Sequence, residues 1–370
     1  MRTIGTNRIG YPEIRNFAGL NFKNYRVKKC VDYYKIPSYI QFKLNPKQKL
    51  NQYHLNSFND FGLNGCNGYH FFNTLSFGKK PWITTFETSI PRWGNAVSEK
   101  RIEKGLRLIA GSACKKIIAI SECTARIQKQ FVQSYAPHLY DDIIAKMEVI
   151  HPPQQVHFTP PHYDKSHVFT IAGHEFKTKG GIETLNVFDK IIRENSAIRL
   201  NIISKMSDLS SSEKSACQAI AARHRDSIQL YTTLPNSKVI EILKNSDVAI
   251  LASHADTYGY FVLEAQSCGC PVISTDIRAM SEINSNECGW VISLPKNELG
   301  HGTVNGKAAH WGYNSAFAEI IEQQLPTIIA EIIENPSMVE TKREKAVERI
   351  RTFHNPNAVA QKLEQIYDTF

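Results

Sequence analysis

The chain has 370 residues, of which 42% are hydrophobic and 21% are charged, a composition typical of globular proteins. This length is sufficient for two domains of ordinary size. Apolar runs long enough to cross a membrane do not occur, so the sequence predicts no transmembrane helix. The first residues also lack the apolar stretch of a secretory signal, so none is expected.

The formal net charge of +9 is unevenly distributed along the chain. Residues 1–150 hold 23 Lys and Arg against 10 Asp and Glu, a net charge of +13, whereas residues 151–370 hold 21 against 25, a net charge of −4. This division favours two domains with different tasks. A basic domain suits a membrane surface, an anionic glycan or a nucleic acid, and a merely solvated basic surface is the alternative.

The most basic stretch, residues 23–49, also contains five aromatic side chains: Tyr25, Tyr33, Tyr34, Tyr39 and Phe42. Basic and aromatic residues together are typical of a membrane interface or of a surface for a polyanion. The eight cysteines are scattered without a C-x-x-C pair, which favours reduced thiols in a cytoplasmic protein.

In the N-terminal half, the sequence shows clear strand and helix patterns only from residue 68 onward. Short apolar runs at 69–72 and 81–86 predict strands, residues 99–110 predict an amphipathic helix, and residues 116–120 predict a buried strand. Ser121 is expected to cap a helix that runs to about residue 135. A strand at 147–150 is followed by His151, Pro152 and Pro153, which indicate a linker between domains.

The C-terminal half alternates regularly between short apolar runs and amphipathic stretches. Strands are predicted at 168–172, 198–203, 228–231, 248–251 and 271–274. Helices are predicted at 180–195, 212–224, 237–245, 261–268 and 338–353, with a last helix that ends at residue 367. Such alternation predicts βαβ units around a parallel sheet.

The loop after the strand at 248–251 carries the chemistry most typical of a ligand site. Gly259 permits a tight turn, and the helix that follows directs its first amides at that turn, as in many phosphate sites. Asp256 and Glu264 lie on either side of this turn, and carboxylates are strong acceptors for hydroxyl groups. A loop with two acids also arises by chance, so the residues alone leave both interpretations open.

Residues 256–276 extend this pattern into Leu-Glu-Ala, Cys-Gly-Cys and Pro-Val-Ile. The segment resembles the E-x7-E region of glycosyltransferase family 4, with Asp256 in place of the first Glu. The resemblance implies that Glu264 holds the ribose hydroxyls of a nucleotide-sugar donor and that Asp256 touches the transferred sugar. It also implies a donor-binding loop formed by Thr257, Tyr258, Gly259, Tyr260, Phe261 and Val262, with the amides from Tyr258 to Val262 at the diphosphate.

Residues 169–181 resemble the same family's strand, Gly, Arg and Lys-Gly segment. Gly173 and Lys179 match that pattern, and Lys179 is expected at the donor diphosphate. His174 stands where the family has Arg, and a neutral imidazole is a weaker phosphate partner than a guanidinium. A surface lysine before a helix is the alternative for Lys179.

Glu87 ends the strand predicted at 81–86, where the family often has a histidine near the transferred sugar. A carboxylate there would stabilise positive charge, act as a base or bind a sugar hydroxyl. A structural role at the end of the strand is the alternative. Together, Asp256 and Glu87 are the candidate catalytic residues.

The resemblance implies an α/β protein of the GT-B fold, with two Rossmann-like domains facing a central cleft. We expect an acceptor domain over 1–153, a donor domain over 154–350, and a C-terminal helix over 351–370 that crosses back to the first domain. The implied reaction is sugar transfer from a UDP- or GDP-sugar with retention of configuration. The sequence has no DxD motif, so we expect no metal and no other cofactor.

The expected acceptor is a glycan or lipid-linked glycan in bacterial surface polysaccharide synthesis, such as lipopolysaccharide or capsule. We expect a cytoplasmic location, with possible peripheral contact between the basic domain and anionic membrane. Nucleic acid is not an expected partner, because no RNP, helix-turn-helix or zinc signature appears. The alternatives are a nucleotide-sugar epimerase, a phosphorylase, or a catalytically inactive relative.

Overall fold

The computed structural model describes residues 1–36, 40, 43–44, 56–92, 98–158 and 167–370. Tyr39 and Phe42, two of the aromatic residues of the basic stretch, therefore lie outside the described residues. The chain forms two compact units. The first combines Met1–Pro153 with His354–Phe370, and the second is Gln154–Phe353.

The first unit is built on a parallel six-stranded sheet of order β2-β1-β4-β6-β7-β8. Its strands are β1 (Arg2–Thr6), β2 (Tyr25–Lys29), β4 (Gly68–Phe72), β6 (Trp82–Phe86), β7 (Cys114–Ala119) and β8 (Met147–Val149). Two short strands, β3 (Ser57–Phe58) and β5 (Leu75–Ser76), pair separately. Every residue of β4 and β6 is buried, as expected for parallel strands covered on both faces.

The described α-helices of the first unit before its linker include α1 (Tyr11–Glu13), α2 (Glu99–Ala110), α3 (Glu122–Tyr135) and α4 (Tyr140–Ile144). The helix predicted at 99–110 has these same bounds in the structure. Ser121 caps α3, because its hydroxyl accepts a hydrogen bond from the amide of Thr124 at 3.0 Å.

The last helix of the chain, α12 (Pro356–Tyr367), packs in the first unit. The hydroxyl of Tyr367 lies 2.6 Å from Nδ1 of His70 in β4, and Lys362 pairs with Glu148 of β8 at 2.9 Å. His70 also contacts Thr85 through Nε2 at 2.8 Å and stacks on the ring of Phe17. Complete burial lowers the pKa of His70 to about 3, so this polar contact between helix and sheet is made by a neutral imidazole.

The second unit contains another parallel six-stranded sheet, of order β11-β10-β9-β12-β13-β14. Its strands are β9 (His167–Ala172), β10 (Ile198–Ile203), β11 (Ile228–Tyr231), β12 (Val248–Leu251), β13 (Val272–Thr275) and β14 (Gly289–Ile292). A two-stranded hairpin, β15 (Thr303–Val304) with β16 (Lys307–Ala308), lies beyond β14 in sequence.

The helices of the second unit separate and follow these strands. They are α5 (Gly181–Glu194), α6 (Ser211–Arg223), α7 (Asn236–Lys244), α8 (Tyr260–Ser267), α9 (Met280–Ile283), α10 (Ser315–Glu334) and α11 (Pro336–Phe353). Helix α5 packs against α10, and α8 packs against α11. In the described part of the chain, none of the helices combines the length and apolar character needed to cross a membrane.

The prediction of two Rossmann-like, parallel-sheet domains is confirmed. The strands predicted at 228–231 and 248–251 have the same bounds in the structure. The unpredicted elements are strands β1, β2 and β14 of the two large sheets, the short strands β3, β5, β15 and β16, and the helices α1, α4, α9 and α10. Strand β2 lies at a sheet edge and is largely exposed, so it lacks the apolar run that identifies a buried strand.

Candidate functional site

The candidate residues of the second unit gather where β9 and β12 end. These strands are neighbours in the sheet, with Phe169 paired to Val248, so the loops after them meet at one edge. Ligands of open α/β sheets bind at this carboxyl edge. The structure therefore brings together two segments that are far apart in sequence, with Lys179 and Asp256 separated by 77 positions.

Gly180 fixes the close approach of these two loops. Its φ is +74°, in the left-handed region, and it immediately precedes α5. A Cβ at this position would overlap the backbone carbonyl of Ala252, the first residue after β12. Only glycine meets both requirements, so the loop after β9 is held directly against the loop after β12.

Gly259 makes the second tight turn, with φ at +92° as the residue that caps α8. A Cβ here would overlap the sulfur of Met280 in α9. The turn places the N-terminus of α8 directly after Asp256, Thr257 and Tyr258, as the sequence predicted.

Lys179 and Asp256 form an ion pair at the centre of this edge. The ammonium Nζ of Lys179 lies 2.7 Å from Oδ2 of Asp256 and also donates to the carbonyl of Ala255 at 3.2 Å. Both side chains are largely buried, with 19% and 15% of their surface exposed. The amide of Tyr258 donates to Oδ1 of Asp256 at 3.0 Å, so this carboxylate orders the loop as well as the lysine.

Glu264 is buried within α8, with 7% of its surface exposed. Its Oε1 accepts a hydrogen bond from Nδ2 of Asn236, at the start of α7, at 3.1 Å. Asn236 was not among the predicted residues. It follows β11 in sequence, and only the folded sheet brings it to Glu264.

The predicted donor loop contributes backbone as well as side chains. The amide of Tyr258 is directed at Asp256, and the amide of Val262 donates to the carbonyl of Gly259 at 2.9 Å. These two amides therefore already have acceptors within the protein. The ring of Tyr258 is buried and lies 5.3 Å from that of Tyr260, whereas Phe261 is half-buried.

In the segment after β9, Gly173 is half-buried and His174 lies at the surface. The amide of Gly173 donates to the carbonyl of Ile203, and His174 is exposed. A second cation, Lys177, lies in the same loop and was not predicted. Its ammonium pairs with Glu213 at 2.5 Å and lies 4.4 Å from the centre of the Tyr313 ring.

A buried His–Glu contact supports the same loop and was also not predicted. Nε2 of His254 lies 3.3 Å from Oε1 of Glu183 in α5, and both side chains are inaccessible to solvent. Nδ1 of His254 accepts a hydrogen bond from the amide of Asn314 at 3.2 Å, which assigns the imidazole proton to Nε2. This contact ties the loop after β12 to α5 and to the start of α10.

Glu87 lies in the first unit, directly after β6, as predicted. Its carboxylate pairs with Arg92 at 2.6 Å and accepts from the side-chain amide of Asn73 at 3.2 Å. About a quarter of the Glu87 side chain, 26%, remains exposed. Neither partner was foreseen from the sequence. Within the described ranges, no group of three or more His, Cys, Asp or Glu could hold a metal ion.

Residues 154–299 match the sequence model of the family described as glycosyl transferases group 1. This segment therefore resembles the glycosyl transferases of group 1. It includes β9 to β14 and every candidate residue of the second unit, from Gly173 to Glu264. The predicted family resemblance is thereby confirmed at the level of the family, and the subfamily stays a prediction.

One similar curated protein is the D-inositol 3-phosphate glycosyltransferase of Acidothermus cellulolyticus, with 27% identity over 100 residues. The match covers 26% of this chain and 22% of that protein, so it spans about a fifth of the relative's length.

Solved structures resemble the chain over most of its length. A glycosyltransferase from Rickettsia africae has a TM-score of 0.58 at 16% identity, covering 94% of this chain and 85% of the other. HepE of Anabaena, crystallised with UDP, has a TM-score of 0.60 at 10% identity and covers 100% of both. WaaG, a glycosyltransferase of lipopolysaccharide biosynthesis, has a TM-score of 0.54 at 13% identity, covering 91% and 86%. At these identities the likeness establishes the fold, which is that of GT-B glycosyltransferases.

Proposed function

We propose that the protein is a retaining glycosyltransferase that takes a sugar from a nucleoside diphosphate donor bound to its second unit. The observation that carries this proposal is the Lys179–Asp256 ion pair, which lies beside the Gly259 turn at the N-terminus of α8. A cation, a helix N-terminus and a carboxylate are the groups needed for a diphosphate next to a sugar. The group 1 family match of this segment supports the same function.

Each part of the donor has a proposed partner. Glu264, oriented by Asn236, would accept hydrogen bonds from the ribose hydroxyls. Lys179 and the amides of Gly259 and Phe261 would hold the diphosphate, because the amides of Tyr258 and Val262 already have acceptors. UDP is the nucleoside diphosphate we propose first, since HepE was crystallised with it.

Asp256 would bind hydroxyls of the transferred sugar. Because the carboxylate is paired with Lys179 in this structure, the lysine would be shared between Asp256 and the diphosphate once the donor binds. In the proposed reaction the acceptor attacks the face from which the phosphate leaves, and the phosphate oxygen takes the acceptor's proton. The lysine and the helix amides would stabilise the charge that develops on the leaving diphosphate, and we propose that no metal ion is required.

Glu87 is proposed to assist from the first unit. Its pairing with Arg92 holds the carboxylate in one orientation at the end of β6. Such a group can stabilise positive charge at the anomeric carbon or bind a sugar hydroxyl. Because Arg92 compensates part of its charge, we favour the hydroxyl-binding role.

The proposed acceptor is a glycan or lipid-linked glycan of bacterial surface polysaccharide, reached at the cytoplasmic face of the membrane. The similarity to WaaG and the +13 charge of residues 1–150 support this assignment. Binding to vesicles of anionic and of neutral lipid at low salt tests the membrane part. We expect binding to the anionic vesicles alone, and it should weaken as salt is added.

Donor turnover tests the proposed function directly. The protein is incubated with nucleotide sugars, and product formation is followed by NMR, which also reports the anomeric configuration. We expect turnover that is lost in Asp256→Ala and Glu264→Ala and retained in Glu348→Ala, a matched control on the exposed surface of α11. Equal turnover in all four proteins would overturn the site assignment. Interconversion of the donor without an acceptor would instead favour an epimerase.

A further inference from the structure

A short loop of the first unit, residues 60–64, presents two large apolar side chains to solvent. Phe61 and Leu63 are 65% and 68% exposed, and Val31 is exposed as well. Asn64 holds Val31 beside the loop, because its side-chain amide donates to the carbonyl of Val31 at 2.8 Å and its Oδ1 accepts from the amide of Val31 at 3.3 Å. We call Val31, Phe61 and Leu63 together the apolar tip.

The loop that carries the apolar tip is held in one conformation by a buried carboxylate. Asp60 accepts hydrogen bonds from the amides of Gly62 and Asn64, at 3.1 Å each. It also accepts from the hydroxyl of Tyr69. The backbone of Phe61 has φ at +49°, in the left-handed region, which a bulky side chain rarely adopts. Strained backbone that the surrounding structure maintains is concentrated at binding sites.

Exposed apolar side chains are concentrated in this part of the chain. Of the fifteen large hydrophobic side chains that are exposed in the described ranges, ten lie within the first 63 residues. Six of these ten lie between residues 31 and 63: Val31, Ile36, Ile40, Leu44, Phe61 and Leu63. Scattered exposed apolar residues are ordinary in proteins, whereas their concentration in one region indicates a surface that binds a partner.

Lysines accompany the apolar tip at the surface. Lys28 and Lys29 are exposed at the end of β2, just before Val31 in sequence. Lys79 is exposed in the segment between β5 and β6. The next residue, Lys80, donates to the carbonyl of Asn64 at 2.6 Å, which places this segment against the loop.

The two acidic residues of the same segments are directed away from solvent. Asp60 is bound within the loop, and the Asp32 side chain is only 9% exposed. Asp32 accepts from the amide of Asn59 at 3.1 Å and pairs with Lys35 at 3.3 Å. Among the described residues of these segments, the accessible charges beside the apolar tip are therefore positive, which suits an anionic partner.

We propose that the apolar tip inserts into the surface of an anionic phospholipid bilayer, and that Lys28, Lys29 and Lys79 bind the lipid headgroups. At a membrane interface, apolar side chains enter the boundary between headgroups and acyl chains, while ammonium groups stay with the phosphates. A second copy of the chain is a poorer partner, because the same lysines would face each other. The inference rests on the membrane part of the proposed function and adds the residues that enter the bilayer.

Vesicle flotation tests this proposal with the full chain, using vesicles of phosphatidylglycerol with phosphatidylcholine and vesicles of phosphatidylcholine alone. We expect the wild type to bind the mixed vesicles, and the double variant Phe61→Ser, Leu63→Ser to bind them roughly 10- to 100-fold more weakly, because two apolar side chains no longer leave water. Leu230→Ser, at an exposed position of β11, is the matched control and should bind as the wild type does. Thermal unfolding checks that each variant is folded.

Entry into the bilayer is measured separately from attraction to its charge. All eight cysteines are buried, so a thiol-reactive, environment-sensitive fluorophore can be attached selectively to Phe61→Cys. We expect its emission to shift to the blue when the mixed vesicles are added, and to be quenched by lipids with spin labels on their acyl chains. The same fluorophore on Leu230→Cys should show neither change.

Other outcomes overturn the proposal in distinguishable ways. Equal vesicle binding by the wild type and the double variant would show that the contact is electrostatic alone, and it would leave the proposed function intact. Equal binding to both kinds of vesicle would overturn the role of the lysines. Absence of vesicle binding would overturn this inference and the membrane part of the proposed function, whereas nucleotide titration tests the donor site independently. If the wild type then forms a dimer that the double variant does not form, the apolar tip is an interface between copies.

Discussion

Replacing Asp256 by asparagine should separate nucleotide binding from sugar transfer. In the structure Asp256 holds Lys179, the cation proposed for the diphosphate, at 2.7 Å. Asparagine can still accept the hydrogen bond from the amide of Tyr258, so the loop should keep its conformation. It cannot hold the ammonium by charge, however, and it no longer repels the diphosphate. We therefore expect tighter binding of UDP together with slower transfer.

The size of the effect follows from the geometry of the pair. Two unit charges 2.7 Å apart attract by about 6 kcal/mol at an effective dielectric constant of about 20. Desolvation of two largely buried groups offsets most of this attraction, which leaves a net coupling of about 1–2 kcal/mol. Because only part of this net coupling must be lost when UDP binds, we expect UDP affinity to rise about 3- to 10-fold in Asp256→Asn. Loss of the sugar contact should slow transfer by roughly 100-fold.

Titration calorimetry with UDP, at low and high salt, measures the affinity of the wild-type protein, Asp256→Asn, Lys179→Met and the double variant. Lys179→Met should weaken UDP binding. In the Lys179→Met background, Asp256→Asn should retain only the part of its gain that comes from removing the repulsion between this carboxylate and the diphosphate. If Asp256→Asn weakens UDP binding as much as Lys179→Met does, Asp256 does not compete with the diphosphate. That result would refute the shared role of the lysine.

Three further predictions concern the framework around the site. Gly180→Ala should lower the free energy of unfolding by at least about 1–2 kcal/mol because of the left-handed φ, and the overlap of its Cβ with the carbonyl of Ala252 should add to this loss; chemical denaturation measures the change. As the pH falls from 6.5 to about 3, the free energy of unfolding should decrease less in His70→Gln than in the wild type. In this range the unfolded wild-type chain binds a proton at His70, whereas the buried imidazole of the folded protein does not. Tyr367→Phe should cost about 1–2 kcal/mol, since it removes the 2.6 Å contact with His70; equal stability of this variant and the wild type would show that the contact does not hold α12.

Much of the second unit could be predicted because its central strands are buried. Strand β12 is a short apolar run, buried throughout and bounded by helical patterns, and such a run identifies its own ends. The long helix α10 was not predicted because Pro326 lies inside it, and proline ordinarily marks the end of a helix.

The sequence predicted which residues belong to the candidate site, but not how their side chains are arranged in space. Gly259 and the two acids are close in sequence, so their spacing was informative. The pairing of Lys179 with Asp256 depends on β9 and β12 being neighbours in the sheet, and sequence order does not give that order of strands. Asn236 was missed for the same reason, because it follows a different strand from Glu264.

The first unit was harder to predict because the hydrophobic patterns of its strands are weaker. Strand β2 is an exposed edge strand with three basic residues among five, a pattern that resembles a solvated loop. Arg92 follows Glu87 by only five positions, yet nothing in that spacing distinguishes an ion pair from two solvated charges.

The central claim is that the second unit binds a nucleoside diphosphate through Lys179 and Glu264. The most direct measurement is titration of UDP, GDP, ADP and CMP into the wild-type protein, Lys179→Met and Glu264→Gln, with Glu348→Gln as the control. We predict that one nucleotide binds and stabilises the protein by about 2.7 kcal/mol at 100 times its dissociation constant. Each of the two site variants should weaken it at least about 10-fold, and the control should not. Failure of every nucleotide to bind, or equal binding by all four proteins, would contradict the account.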